Sequence, residues 1–135
     1  MKRVVLDTNV IISAFFWKGH PRKVYDLARK RKIIMLISRD AENELIRVLG
    51  YSKFGLAPKE ILPFVKNLRS NAELVQTSSK LSIVAADPTD NIFLECAIDG
   101  KADYIISGDR HLLDIGVYKG IEILKAKDFL VKEGF

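Results

Sequence analysis

Thiol and imidazole are nearly absent from this chain. Its 135 residues include one cysteine, Cys96, and two histidines, His20 and His111. A lone cysteine excludes an internal disulfide, and so few soft ligands argue against a dedicated structural zinc site. Any metal is therefore expected on oxygen. Cys96 lies in the apolar run Ile92-Phe93-Leu94-Glu95-Cys96-Ala97-Ile98 and reads as a small buried hydrophobe. Long hydrophobic runs are also missing, and none approaches the roughly 18 residues of a membrane span. No signal-peptide core with a cleavage site precedes Val4-Val5-Leu6. The expectation is a cytoplasmic protein without membrane contact. Asparagine and glutamine are scarce beside lysine, arginine and glutamate, a balance found in heat-adapted proteins. There is no repeat, low-complexity tract or obvious linker, so residues 1–135 are expected to form one domain.

What is present suits a protein that buries a core: 48% hydrophobic and 29% charged residues. The net charge of +5 favours a polyanionic partner such as nucleic acid. Apolar runs of strand length alternate with segments of helical period, which predicts an α/β protein with a parallel sheet. Arg3-Val4-Val5-Leu6 and Ile33-Ile34-Met35-Leu36-Ile37 read as strands buried on both faces. Further strands are predicted over Ala72 to Val75, Tyr104 to Ser107 and Ile121 to Leu124. Helices are predicted over Asn9 to Phe16, Pro21 to Arg31, from Ser38 or Asp40 to Gly50, Pro58 to Ser70, Asp87 to Gly100 and Ala126 to Lys132. Pro63 predicts a kink or a late start in the fourth of these.

The acids fall at significant places. Asp7 follows the first strand, Asp109 follows Tyr104 to Ser107, and Asp90 starts a helix. In an open parallel sheet, that edge is where ligands bind. Each acid has a plainer reading. Asp7 and Asp109 can cap helices, and Asp90 can be third in a capping box led by Asp87. Phe93, Leu94 and Ala97, at helical spacing from Asp90, place it on an apolar stripe instead. A carboxylate aimed inward must be paired, hydrogen-bonded or metal-bound. Glu42 and Glu44 both flank the apolar face Ala41, Leu45, Val48 and Leu49, and helical angle does not choose between them. Carboxylates that converge without matching bases need a hard divalent cation, which describes a magnesium or manganese site. Such a site hydrolyses phosphodiesters without a Ser, Cys or His nucleophile.

The ordered set of motifs resembles a PIN domain, of the kind that serves as the toxin in bacterial and archaeal toxin–antitoxin pairs. The matching pieces are Val5-Leu6-Asp7-Thr8-Asn9-Val10, then Ser38 with Glu44-Leu45, then Asp87-Pro88-Thr89-Asp90-Asn91. Ala102-Asp103-Tyr104-Ile105-Ile106-Ser107-Gly108-Asp109-Arg110-His111-Leu112-Leu113 completes them, so the set covers nearly the whole chain. The resemblance implies a three-layer α/β/α fold with a five-stranded parallel sheet in order 3-2-1-4-5. It implies an endoribonuclease acting on RNA with Mg2+ or Mn2+. It assigns the catalytic, metal-holding acids to Asp7, Glu44, Asp90 and Asp109, and so decides against Glu42. Thr8, Asn9 and Ser107 match supporting polar positions. A homodimer and a protein antitoxin are implied as partners. Asp87 is expected to be a helix cap and Asp103 a surface acid.

For gripping RNA, the candidates are Lys18, Arg22, Lys23, Arg110 and His111. The basic run Arg29-Lys30-Arg31-Lys32 is expected to meet a helix dipole, and Phe15, Phe16 and Trp17 to pack at a helix end or an interface. A non-catalytic RNA-binding or regulatory module on the same fold is the alternative. An aspartyl-phosphate protein is a further one. Asn9 stands against its phosphatase form, which wants a second acid two residues after the first.

Overall fold

The computed structural model describes residues 1–51, 53–78, 80 and 88–135. The start of the sheet is β1 (Arg3–Leu6), followed by α1 (Thr8–Phe16) and α2 (His20–Arg29). Then come β2 (Ile34–Ser38), α3 (Arg39–Leu49), α4 (Pro58–Asn71) and β3 (Ala72–Val75). A 3₁₀ turn, Pro88–Asp90, leads into α5 (Asn91–Asp99), β4 (Tyr104–Ile106) and α6 (Arg110–Ile115). The chain ends with β5 (Val117–Tyr118), β6 (Ile121–Leu124) and α7 (Ala126–Glu133). The expected helix cap at Asp87 lies outside the described residues.

The sheet order is β3-β2-β1-β4-β6-β5. Five strands are mutually parallel, as the sequence predicts, but among the described residues the expected five-stranded count needs correction to six. The extra strand, β5, pairs antiparallel with β6 through Tyr118 and Ile121. Lys119 and Gly120 form the two-residue turn between them, with φ of 49° and 81°. Two consecutive positive φ values suit the twist of such a hairpin, and glycine takes the second at no steric cost. A two-residue strand is too short to show periodicity, so only the turn could have signalled it.

Successive strand residues face opposite sides of a sheet. Val4, Val5 and Leu6 are all buried, as are Tyr104, Ile105 and Ile106. Both faces of the central strands are therefore covered by helices. The α5 helix packs on β1, β2 and β4, and α2 packs on α7. Leu36, Leu45, Leu94, Ile105, Leu112 and Phe129 are among the fully buried core residues. Each such side chain contributes about 1.5–3 kcal/mol by leaving water. Pro63 neither delays nor divides α4, which starts at Pro58 and runs through it. Both Pro63 and Lys59, whose carbonyl loses its partner, are exposed, so water can satisfy that carbonyl. Among the described residues, no helix is long and apolar enough to cross a membrane.

Cys96 is completely buried in α5. Burial pushes its thiol up to about 12, despite a hydrogen bond with Ser38. The thiolate is the reactive form. Cys96 in the native protein is therefore expected to ignore a thiol reagent at pH 8 and to react fully once the chain is unfolded in guanidinium. Rapid labelling of native protein would contradict this packing.

Candidate active site

Register builds the first half of the site. Leu6 of β1 stands beside Ile106 of β4, and the Asp7 backbone N–H donates to the Ile106 carbonyl at 3.1 Å. The next residues along, Asp7 and Ser107, are consequently neighbours at the carboxyl ends of the two strands. The chain leaves β1 toward β2 on one side, while β4 lies on the other. This is the switch point of the sheet, where a crevice opens.

Both Asp7 and Ser107 are buried, and the Ser107 hydroxyl donates to Asp7 Oδ2. Asp7 Oδ1 accepts the Val10 N–H at 2.9 Å and so caps α1. Ser107 Oγ in turn accepts the Asp109 N–H at 2.9 Å, and Asp109 Oδ1 caps α6 by accepting the His111 N–H at 2.7 Å. The capping reading of these two acids is thus realised, and it leaves them on the crevice wall. Burial raises the Asp7 carboxyl above its ordinary 3.8, and the charge of Asp109 adds to the rise. The Ser107 and Val10 hydrogen bonds pull the other way.

Asp90 sits where the 3₁₀ turn becomes α5 and is 6% exposed. Its side chain makes no capping bond to the helix. The buried stripe of Phe93, Leu94 and Ala97 faces the sheet and carries Asp90 inward with it. Glu44 comes from the middle of α3, a helix that Ser38 caps by accepting the Ala41 N–H at 3.1 Å.

Asp7, Glu44, Asp90 and Asp109 all line one cleft of about 390 Å³, together with Thr8, Asn9 and Thr89. Arg47, Val48, Tyr51, Lys53, Phe54 and Phe93 line it as well. Glu42 lies elsewhere. It is 4% exposed and lines a separate pocket, where Arg69 Nε donates to its Oε2 at 2.9 Å. Asp103 is exposed and accepts the Arg3 N–H at 2.8 Å.

The residues expected to grip RNA stand apart from the cleft lining. None of Lys18, Arg22, Lys23, Arg110 or His111 lines the cleft. Arg22 donates to the carbonyls of Ala14 and Phe15, both at 3.0 Å, and so closes the end of α1. Lys23 belongs to a pocket beside Leu130 and Phe135. Arg110 is 90% exposed and lies 4.0 Å from Asp114. Phe15 and Phe16 pack on Phe64, with ring centroids 5.0 and 5.2 Å away, while Trp17 is exposed. The cations that do line the cleft, Arg47 and Lys53, were missed. Arg47 lies three residues after Glu44 on the same helix, so helical spacing could have found it. Lys53 belongs to no helix or strand and has no such signal.

A family model described as PIN domain matches residues 3–111, a span that includes all four of these acids. The chain belongs to the PIN domain family. A search of curated proteins finds no match. PIN domains are in general nucleases and typically use divalent metals. The donor set of this PIN domain fits a hard cation: its acids offer only oxygen, and among the described residues four acids and two bases line the cleft. Thr8 Oγ1 is buried there without a hydrogen-bond partner among the described residues. No three acids among the described residues stand close enough to form a cage by themselves. That is compatible with magnesium, which keeps several waters and takes only one or two carboxylates.

Proposed function

We propose that this PIN domain is a metal-dependent endoribonuclease that hydrolyses RNA phosphodiester bonds at the cleft. The observation that carries the reading is the meeting of Asp7, Glu44, Asp90 and Asp109, from separate parts of the chain, on one cleft at the switch point of the sheet. These acids would hold Mg2+ or Mn2+. A bound ion supplies charge neutralisation at the phosphoryl group and activation of the attacking water. The chain's own groups do the positioning. Ser107 and the α1 N-terminus fix the Asp7 carboxylate, and Ser107 also holds the Asp109 backbone. Thr8 and Asn9 offer hydrogen bonds to what these acids bind. Lys53 and Arg47 offset part of the negative charge that would otherwise repel an RNA backbone.

The wider role as a cytoplasmic toxin, acting as a homodimer and held by a protein antitoxin, rests on the family resemblance alone. The chemistry is tested by incubating a mixed RNA pool with manganese or with chelator. Wild type is expected to cleave only with manganese. Asp90→Asn is expected to lose about 10²-fold or more, the scale of removing one group that stabilises transition-state charge. Equal cleavage by both proteins would assign the activity to a contaminant. An absence of manganese-dependent cleavage and of stabilisation by manganese would favour a non-catalytic RNA-binding module.

A further inference from the structure

Arg47 meets Glu44 with unusual completeness for a surface pair. Its Nη2 lies 2.6 Å from Glu44 Oε1 and 2.8 Å from Oε2, and its Nε lies 3.1 Å from Oε2. Both oxygens of one cleft acid are therefore engaged by a base from the same helix. The Arg47 side chain is 55% exposed and that of Glu44 is 15% exposed. The same guanidinium donates to the Tyr51 hydroxyl, and its carbon lies 5.4 Å from the centre of the Tyr51 ring. Glu44, Arg47 and Tyr51 all line the cleft.

We propose that Arg47 is the phosphate-binding residue of this cleft, and that it is held in reserve on Glu44 until a divalent ion takes that carboxylate. The proposal rests on the nuclease reading of the same cleft. The carboxylate oxygens that accept from the guanidinium are those that would ligate an ion, so the two cations compete. The Arg47 end of the pair is 55% exposed, so a doubly charged competitor in solution can reach the pair and displace it. The released guanidinium does not leave the cleft, because Tyr51 still holds it by hydroxyl and ring face. Its planar fork then matches the oxygens of a phosphate, a match that a lysine lacks. The ion and the RNA therefore favour each other: binding of the first frees the group that binds the second.

Manganese titration by calorimetry without RNA, and steady-state cleavage of an unpaired oligoribonucleotide in saturating manganese, test the idea on Arg47→Gln and Arg47→Lys. Arg47→Gln is expected to bind manganese about two- to fivefold tighter, since the competitor is gone. It is expected to raise KM about tenfold, with a log–log salt dependence of kcat/KM shallower by about 0.7, the loss of one phosphate contact. Arg47→Lys is expected between Arg47→Gln and wild type in KM. If Arg47→Gln matches wild type in both manganese affinity and KM while wild type binds manganese and cleaves, the Arg47 proposal is overturned and the nuclease reading stands. If wild type binds no manganese and cleaves nothing, both fall together. A purely structural pair predicts a lower melting temperature with both readouts unchanged, which also overturns the proposal.

Discussion

Asp7→Asn is expected to abolish RNA cleavage and, in the absence of metal, to raise the melting temperature at pH 7. The two effects have one cause. Asp7 is 3% exposed, and burial lifts its carboxyl above 3.8. Ionising it in the folded protein places a charge where little solvent reaches. The neutral amide removes that cost. It can still accept the Val10 N–H, and its own N–H can turn to the Ser107 oxygen.

The sign for pH follows directly. A carboxyl with a raised folded-state value binds a proton more readily in the folded chain than in the unfolded one. Its unfavourable contribution to stability is absent below the ordinary value of 3.8 and grows as pH rises through the folded value. The stability gap between Asp7→Asn and wild type should therefore be small in acid and widen toward neutrality. Manganese should stabilise wild type and leave the variant almost unaffected, while cleavage falls by about 10²-fold or more. Melting curves across pH, with and without manganese, check each part. A variant less stable than wild type at pH 7 would show that the Ser107 and Val10 hydrogen bonds outweigh desolvation.

Gly100→Ala is expected to be the most damaging methyl group that can be added near α5. A Cβ at Gly100 would lie 2.8 Å from Val75 Cγ2, 2.9 Å from the Cys96 carbonyl oxygen and 2.9 Å from Leu36 Cδ1. Val75 and Leu36 belong to β3 and β2, so the glycine is where the end of α5 touches the sheet. Backbone and two buried side chains cannot all yield. Overpacking of this kind costs about 1–3 kcal/mol, a fall in melting temperature on the order of 5–10 °C. Asp90 stands at the other end of the same short helix, so tilting α5 off the sheet also moves a cleft acid. Cleavage should fall below what the lost stability explains at 25 °C, where the variant is still folded. Unchanged melting would show that α5 can shift without strain.

The strands β1, β2 and β4 were legible because continuous apolar runs bounded by turn residues leave few other structures. The inward aim of Asp90 was legible for a related reason: helical spacing ties it to Phe93, Leu94 and Ala97. Other features were not. Strand β5 has two residues, and neither period nor length announces it. Arg22, Lys18 and Lys23 look like phosphate ligands by charge alone. Charge carries no direction, and only the fold shows that Arg22 closes the end of α1.

Glu42 and Glu44 show where the boundary lies. Both flank the same apolar face of α3, and local geometry treats them almost alike. Sequence pattern alone determined the alternation of strands and helices, the lack of an internal disulfide, and the acids at strand ends and helix starts. Those properties depend on neighbours along the chain, whose spacing the backbone sets. The resemblance singled out Glu44, but only tertiary structure showed that Glu42 meets Arg69 of α4 while Glu44 enters the cleft, and that Arg47 stands there too. Those outcomes depend on which element packs against each side of a helix, and no local period encodes the identity of that neighbour.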